Sequence, residues 1–426
     1  MSKVAPFRAL TYNQEKIKSL ADVVCPPYDI ISPRQQDALL ERHPQNYIHV
    51  LLRKDAPGED KYQKAGEIFR QWRKEGILER QAEPALYFYS HEYWIKREKK
   101  VRFGFIALLR LEEKKSSVFG HEHTHTEPKE DRLRLLRQVK ANLSPIFVVF
   151  ADKKRLVPFL WDKHVKSKKP FIEVADDERS MHRLWKITDP VVLKKISDQM
   201  EQENMFIADG HHRYEVASTY RNEMKEHLEK IEGEEPFNYI MAYFTNIDPS
   251  GLTILPIHRL VKMPARPDMN AIVAQLNEHF FVEEIKDRTR FFFLLEKAGR
   301  SEHVIGMYNH KRHWLLRLKN VKVLDKMITD KPPEYRSLDV SILNSLVLRR
   351  ILDLDVTEKG NVAFIPEKDE LLTKADTDSS FIAFFLNPTK MEQIVAVALK
   401  GEKMPPKSTY FYPKVISGLV INPHED

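Results

Sequence analysis

The amino-acid sequence predicts a mixed α+β protein. Strand-like runs rich in aromatic and β-branched residues alternate with amphipathic runs of helical period along most of the 426 residues. No internal repeat interrupts this alternation, and hydrophobic residues make up 42% of the chain, enough for substantial cores. Segment 261–270 carries two prolines and no strong periodicity. We therefore predict a main domain over 1–262 and a smaller domain over 263–426.

Local patterns predict the elements in chain order. In 61–76, for example, Ala65, Phe69 and Trp72 recur at helical spacing and Gly76 marks a stop. Strands are predicted over 47–53, 85–95, 101–111, 144–152, 205–208, 237–244, twice within 304–318, and over 381–386. Helices are predicted over 61–76, 131–142, most of 187–204, from Tyr214 onward, near 268–280, and over 338–352 and 388–400.

Composition excludes several classes of protein. No run of about 18 apolar residues is present, so no membrane span is expected, and the N-terminus lacks the apolar core of a signal peptide. The only cysteine, Cys25, cannot form an internal disulfide, which fits the cytoplasm. The net charge of +7 is dispersed, without a helix-turn-helix pattern or a concentrated basic helix, so nucleic-acid binding is not expected.

The stretch FIADGHHRYEVA (206–217) is the strongest candidate for a functional site. Asp209 and Gly210 follow an apolar strand, and His211, His212 and Arg213 open a helix-like run. Glycine permits a sharp bend, and a helix N-terminus attracts phosphate. Arg213 adds a forked donor, Asp209 offers a base or a Mg²⁺ ligand, and both histidines can donate to phosphate or transfer protons. The competing interpretation is a helix capped by Asp209, with the other polar residues exposed on the surface.

Two further stretches offer acid–base or metal-binding groups. In VVCPPYDIIS (23–32) a double proline fixes an extended segment ahead of Asp29, which can then serve as a base, a ligand or a plain turn cap. In GHEHTHTEPKEDRL (120–133) the side chains of His121, His123 and His125 would share one face of an extended chain. With Glu122 or Glu127 they suggest a metal site, and Glu122 is also a candidate acid–base group or Mg²⁺ ligand.

The C-terminal stretch MPPKSTYFYPK (404–414) offers anion-binding groups. Lys407, Ser408 and Thr409 follow a double proline and provide one cation, two hydroxyls and backbone donors. The glycines of a phosphate-binding P-loop are absent, so this is not a Walker motif. We predict that Lys407 lines the same cleft as Asp209 and Arg213.

These stretches, in this order, resemble a known family. PPYDIIS, HEHTHTEPKEDRLRLL, ANLSPIFVVF, ADGHHRYEVA, GLTILPIHRLV, DVSILNSLVL and MPPKSTYFYPKVISGLV together resemble the bacterial and archaeal domain-of-unknown-function family numbered 1015. The resemblance runs from about Phe7 to about Val420. It implies a cytoplasmic protein, of a family discussed beside serine biosynthesis, but no particular activity.

A second resemblance is local. FIADGHHRYEVA resembles the nucleotide-binding segment of the ParB/sulfiredoxin superfamily, in the form carried by free-serine kinases. In those kinases the turn binds nucleotide phosphates and Mg²⁺, and a separate acid deprotonates the serine hydroxyl. The resemblance implies that Gly210, His211, His212 and Arg213 hold phosphates and that Asp209 lies beside the metal.

The chain also departs from the kinase pattern. A Pro-Ile-x-Val strand precedes the turn in those proteins, whereas 187–204 here has mainly helical character. The acidic base cannot be placed by motif, and Asp29 and Glu122 are its candidates.

The leading functional hypothesis is a Mg²⁺-dependent phosphoryl-transfer enzyme. Its substrate would be a small anionic metabolite such as free serine or phosphoserine, with ATP or ADP as the nucleotide, and both the kinase and the phosphatase direction stay open. One alternative is a nucleotide-regulated binding protein of the ParB type. The other is a metal-dependent hydrolase built on His121, His123 and His125.

Overall fold

The chain divides into two compact units. A computed structural model describes residues 3–95, 97–112, 117–122, 126–227, 233–248, 251–356, 358 and 360–425. The first unit consists of Met1–Gly120, Thr124–Thr253 and Pro413–Asp426. The second unit consists of His121–His123 and Ile254–Tyr412. The C-terminal segment thus belongs to the first unit, and the predicted boundary after residue 262 falls inside the second.

The described residues form strands and helices in the predicted alternation, which confirms the mixed α+β class. The strands are β1 (Val4–Ala5), β2 (Leu10–Tyr12), β3 (Leu78–Arg80), β4 (Leu86–Ile95), β5 (Glu98–Arg110), β6 (Val118–Gly120), β7 (Ala141–Asn142), β8 (Ile146–Phe150), β9 (Ile172–Ala175), β10 (Met181–Ile187), β11 (Met205–Asp209), β12 (Tyr239–Asn246), β13 (Thr253–Leu255), β14 (His258–Lys262), β15 (Phe280–Glu284), β16 (Val304–Asn309), β17 (Arg312–Leu318), β18 (Val362–Ile365), β19 (Phe381–Phe385), β20 (Tyr410–Tyr412) and β21 (Asn422–Pro423).

The helices are mostly short and lie between these strands. They are α1 (Pro33–Arg42), α2 (Ile48–Leu51), α3 (Lys61–Lys74), α4 (Thr126–Val139), α5 (Leu156–Leu160), α6 (Pro190–Met200), α7 (His211–Glu226), α8 (Met269–His279), α9 (Arg288–Ala298), α10 (Pro333–Arg336), α11 (Asp339–Ile342), α12 (Lys368–Ala375) and α13 (Met391–Leu399). Two π-helical segments, Trp161–Val165 and Leu343–Ile351, continue α5 and α11.

The first unit is built on a nine-stranded mixed sheet in the order β6-β11-β8-β12-β5-β4-β10-β9, with β1 also paired to β5. Side chains alternate between its two faces. One face carries an apolar core that includes Phe88, Phe105 and Phe244. The opposite face carries buried polar and aromatic side chains such as His91 and Arg102. The candidate site and a histidine cluster described below both use residues of this second face.

The second unit is built on a six-stranded sheet in the order β15-β17-β16-β19-β14-β18. All of its strand pairs are antiparallel. One apolar cluster includes Leu343 and Leu346 of the π-helical segment. A second, separate cluster includes Phe291 of α9 and Leu371 of α12. The predicted single helix over 338–352 is therefore α11 followed by a π-helical segment.

One predicted strand is wrong. Residues 47–53 were expected to be extended, but Ile48–Leu51 form the helical turn α2. Asn46 explains the difference, because its side chain accepts from the N–H of Ile48 at 3.0 Å and donates to the carbonyl of Asp22 at 2.7 Å. A short buried apolar run fits either a strand or a buried helix, and here the asparagine turn decides.

Candidate functional site

The DGHHR stretch forms a sharp turn from strand to helix in the first unit. β11 ends at Asp209 and α7 begins at His211, with Gly210 as the N-cap residue between them. Gly210 has a φ of 90°, in the left-handed region. A Cβ there would lie 2.9 Å from Ile146 Cγ2 and 3.0 Å from Arg213 Cζ. The turn therefore needs glycine for its conformation and for its close packing.

Asp209 forms ion pairs with two cations instead of capping the helix. Its Oδ2 accepts from Arg213 Nη2 at 2.6 Å, and its Oδ1 accepts from Lys414 Nζ. Arg213 also donates to the carbonyl of Pro145. The N-cap residue of α7 is Gly210, which has no side chain, and both carboxylate oxygens of Asp209 contact cations, which argues against Asp209 as the cap.

These three charged side chains are almost completely shielded from solvent. The exposed fractions are 14% for Asp209, 13% for Arg213 and 9% for Lys414. Burial opposes ionisation of Asp209, but the charges of Lys414 and Arg213 outweigh it and hold the pKa of this carboxyl well below its usual range. Asp209 is therefore a carboxylate at neutral pH, and it balances one of the two positive charges of Arg213 and Lys414.

Asp29 lies next to this cluster. It follows the double proline that, from the sequence, is expected to fix an extended segment. It belongs to the 3₁₀ turn Tyr28–Ile30 that follows Pro27, and its Oδ2 lies 4.0 Å from Lys414 Nζ. The Asp29 side chain is 37% exposed, much more than that of Asp209. The site thus contains one shielded carboxylate and one accessible carboxylate, both close to the same lysine.

A small cavity of about 70 Å³ extends from the cluster between α4 and α7. Its lining combines two arginines, Arg132 and Arg213, with Tyr28 and mainly apolar side chains. Arg132 stacks on the Tyr28 ring at 4.4 Å. Burial raises the pKa of Tyr28, so its hydroxyl stays protonated at neutral pH. The cavity can accept a small group that carries negative charge at one end.

The two histidines open α7 in different surroundings. The side chain of His211 is buried, and that of His212 is half-buried. The positive charge of a protonated His211 also favours ionised Asp209. The predicted proton-transfer and phosphate-binding roles of both histidines stay predictions.

Several predicted site residues belong to the second unit. His121 Nε2 lies 3.0 Å from Thr409 Oγ1. Ser408 is buried and donates to the carbonyl of Pro405 at 2.5 Å, whereas the Lys407 side chain is exposed. Glu122 also lies in this unit. The predicted shared cleft of Asp209, Arg213 and Lys407 stays a prediction.

His123 and His125 lie outside the described residues. The predicted metal-binding role of His121 and the acid–base role of Glu122 stay predictions.

Sequence reasoning missed Lys414, Tyr28 and Arg132. Lys414 lies in the MPPKSTYFYPK stretch, in which the sequence pattern predicts phosphate binding by Lys407 instead. The stretch contains the pair Pro-Lys twice, at 406–407 and at 413–414. This repetition indicates that Lys414 is as good a candidate as Lys407. Tyr28 directly precedes the predicted Asp29, and Arg132 opens no recognisable motif.

The first unit therefore combines an α+β fold with a strand-to-helix turn at which the Asp209 carboxylate contacts two cations, Arg213 and Lys414. The chain belongs to the family described as "Protein of unknown function (DUF1015)", whose pattern matches residues 4–341. No match was found among curated proteins. No helix among the described residues is long and apolar enough to cross a membrane.

Similar solved structures include a free serine kinase in complex with ADP, at 12% identity and a TM-score of 0.35, covering 73% of this chain and 88% of that chain. Another is SbnI with C-terminal truncation from Staphylococcus aureus, at 11% identity and a TM-score of 0.36, covering 73% and 85%. A third is a conserved hypothetical protein from Pyrococcus furiosus, at 11% identity and a TM-score of 0.33, covering 72% and 90%.

Proposed function

We propose that this protein transfers a phosphoryl group between a nucleotide, ATP or ADP, and a small hydroxyl-bearing anionic metabolite such as free serine. The observation that carries the proposal is the convergence of Asp209, Arg213, Lys414 and Asp29 at the N-terminus of α7. Phosphoryl transfer depends mostly on positioning and charge neutralisation, and these residues supply both.

In this proposal Lys414 and Arg213 bind phosphate oxygens. Asp209 holds both cations in place before the phosphate arrives, so they are pre-positioned beside the turn. The partial positive charge at the start of a helix adds to their attraction for an anion. Gly210 allows the ligand to approach the backbone closely.

Asp29 is the proposed base for the metabolite hydroxyl. It is the more exposed of the two carboxylates, so a substrate can reach it. Proton transfer by a positioned carboxylate contributes about 10²–10⁴-fold to a rate. Glu122, the other acid that the sequence suggested, stays an alternative base.

Mg²⁺ fits this site only together with a phosphate. Mg²⁺ prefers oxygen donors and commonly takes one or two carboxylates plus substrate phosphates. Asp29 and Asp209 provide such donors, but both oxygens of Asp209 already contact cations. When bound, the ion would neutralise charge on the transferring phosphoryl group.

A radiolabel-transfer assay tests the proposal. The purified chain is incubated with γ-labelled ATP, Mg²⁺ and a panel of small acids that includes serine, and the reverse reaction is followed from phosphoserine and ADP. We expect transfer to one class of acceptor. Asp29→Asn should lower the turnover about 10²-fold or more while nucleotide affinity changes little.

The lysine pair of the C-terminal stretch provides a matched comparison. Lys414→Gln and Lys407→Gln remove the same charge from two Pro-Lys pairs. We expect Lys414→Gln to weaken nucleotide binding at least tenfold, and the Lys407→Gln result tests the separate prediction that Lys407 binds phosphate. Nucleotide binding of normal strength in folded Lys414→Gln and Arg213→Ala would contradict the proposal. Nucleotide binding without any transfer would favour the binding-protein alternative.

A further inference from the structure

A second cluster on the polar face of the first unit's sheet has the composition of a metal site. His91 of β4 and His182 of β10 lie directly opposite each other in the antiparallel pair, with ring centroids 4.2 Å apart. Asp176 follows β9 and directs Oδ2 to His182 Nε2 at 3.0 Å. One ligand atom from each of these three residues lies within 4.8 Å of the other two. In the part of the chain that the structure describes, no other group of three such side chains meets this criterion.

His91 supplies the second observation that points to a ligand. Its side chain is completely buried, and its Nε2 has no hydrogen-bond partner among the described residues. A buried polar atom without a partner costs about 1–3 kcal/mol, so such an atom calls for an explanation. A cation shared with His182 and Asp176 would satisfy it.

Neighbouring groups already orient the other two side chains as they would around a metal. Tyr89 Oη lies 2.6 Å from His182 Nδ1, which leaves Nε2 directed to the cluster. The backbone N–H groups of Glu178 and Ser180 donate to Asp176 Oδ1 at 2.9 and 2.8 Å, which leaves Oδ2 directed to the same point. Such outer contacts fix ring tautomers and carboxylate orientation in metal sites.

We propose that His91, His182 and Asp176 form a binding site for a divalent transition-metal ion of the zinc type. The separation of 3.0 Å between His182 Nε2 and Asp176 Oδ2 is close to the roughly 3.3 Å edge of a tetrahedron with zinc–nitrogen bonds of about 2.0 Å. Three protein ligands leave the fourth position open. Asp176, 20% exposed, gives access from solvent to two completely buried rings.

Charge and tautomer determine which ion the cluster favours. Arg102 Nη2 donates to His91 Nδ1 at 3.2 Å, so the proton of neutral His91 is on Nε2. Metal binding requires this proton to move to Nδ1 and the Arg102 contact to open. The Arg102 charge also repels a cation, whereas Asp176 and Glu178 attract it. Only an ion with strong affinity for imidazole would offset these costs, which favours zinc over Mg²⁺.

Metal titration of the full chain, free of any histidine tag and treated with a chelator, tests the inference. Co²⁺ reports tetrahedral coordination by visible absorption, and calorimetry with Zn²⁺ gives the stoichiometry and affinity. We expect one ion per chain. His91→Gln and Asp176→Asn should each weaken binding at least tenfold, and Tyr89→Phe about tenfold.

His227→Gln is the matched control because it removes an exposed histidine of the same unit. Its metal affinity should equal that of the original chain. Asp176→Asn retains the acceptor for the two backbone N–H groups, so it keeps the test valid if His91→Gln does not fold. Absence of metal binding by the original chain, or unchanged binding by folded Asp176→Asn, would overturn the inference. This test does not depend on the proposed phosphoryl transfer.

Discussion

Arg213 of the first unit and Arg259 of the second unit are both buried, but their charges are stabilised in different ways. Arg213 pairs with the Asp209 carboxylate, which also binds Lys414. Arg259 is 1% exposed and donates to the backbone carbonyls of Ile257 and Lys407, while its guanidinium lies 4.8 Å from the Phe364 ring. Among the described residues, Arg259 has no carboxylate within ion-pair distance.

The difference separates a site that can exchange partners from a structural contact. The Asp209 carboxylate can yield its cations to an incoming phosphate, since one anion replaces another. Neutral carbonyls offer no such exchange, and burial accordingly lowers the pKa of Arg259 to about 9. Arg259 therefore fixes the backbone at Lys407 within its own unit, whereas in the proposed function the Asp209 cluster holds its cations for a ligand.

Asp209→Ala should give the largest loss of stability. It removes the carboxylate that Arg213 and Lys414 both contact, although Asp29 still lies 4.0 Å from Lys414 Nζ, and breaking a buried ion pair costs about 3–5 kcal/mol. Urea unfolding measures the change. Asp198→Ala is the control, because its pair with Lys194 is exposed and should contribute less than about 0.5 kcal/mol. A loss below about 1 kcal/mol for Asp209→Ala would show that the Asp209 carboxylate does not stabilise the charges of Arg213 and Lys414.

Arg259→Met should destabilise the protein less. The carbonyls of Ile257 and Lys407 lose charged donors, which costs about 1.5–3 kcal/mol, but no opposite charge remains unpaired. The same urea experiment gives the value. A loss as large as that of Asp209→Ala would erase the distinction between the two arginines.

His258 of the second unit and Asp209 of the first unit should also titrate at different pH. Burial, followed by the charges of Arg259 and Lys368, lowers the pKa of His258 to about 3. Between about pH 6.5 and pH 3, the unfolded chain is protonated at His258 and the folded chain is not. The free energy of unfolding therefore decreases as the pH falls through this range, by up to about 1.4 kcal/mol per pH unit. His258→Gln should flatten this decline. An unchanged slope in that variant would show that His258 does not titrate as its burial implies.

The contribution of Asp209 should vanish only in stronger acid. Its pKa is depressed in the folded chain, so its stabilising effect is complete above about pH 5 and is lost progressively below about pH 4. The difference in stability between the original chain and Asp209→Asn should therefore shrink in that lower range alone. Convergence of the two curves already near pH 6 would contradict the ion-pair description.

Lys407→Gln should have the smallest effect on stability. The side chain is exposed, and substitutions at such positions usually change stability by less than about 0.5 kcal/mol. Lys414→Gln, which removes the same charge from a shielded position, should destabilise clearly more in the same thermal denaturation experiment. Equal effects of the two variants would contradict the shielding of Lys414.

Local sequence predicted the turn but not the partners that reach it. The apolar strand, the glycine and the following helix are contiguous, so the geometry around Gly210 could be expected from the sequence. Lys414 contacts Asp209 across 205 positions, and no local pattern reports such a contact. The histidine cluster also escaped notice, because His91 and His182 come together only through the register of β4 and β10. The spacing and composition of residues predict strands and helices. The pairing of strands determines which side chains come into contact.

The most direct test of the central claim is a thermal-shift titration with ADP, ATP and phosphoserine, each with Mg²⁺, on the original chain and on Lys414→Gln. A ligand that binds only the folded chain stabilises it by about 2.7 kcal/mol at 100 times its dissociation constant. We predict such a shift with at least one of these phosphates and its loss in Lys414→Gln. No shift with any of them, or an equal shift in the variant, would contradict a phosphate site at the Asp209–Lys414 cluster.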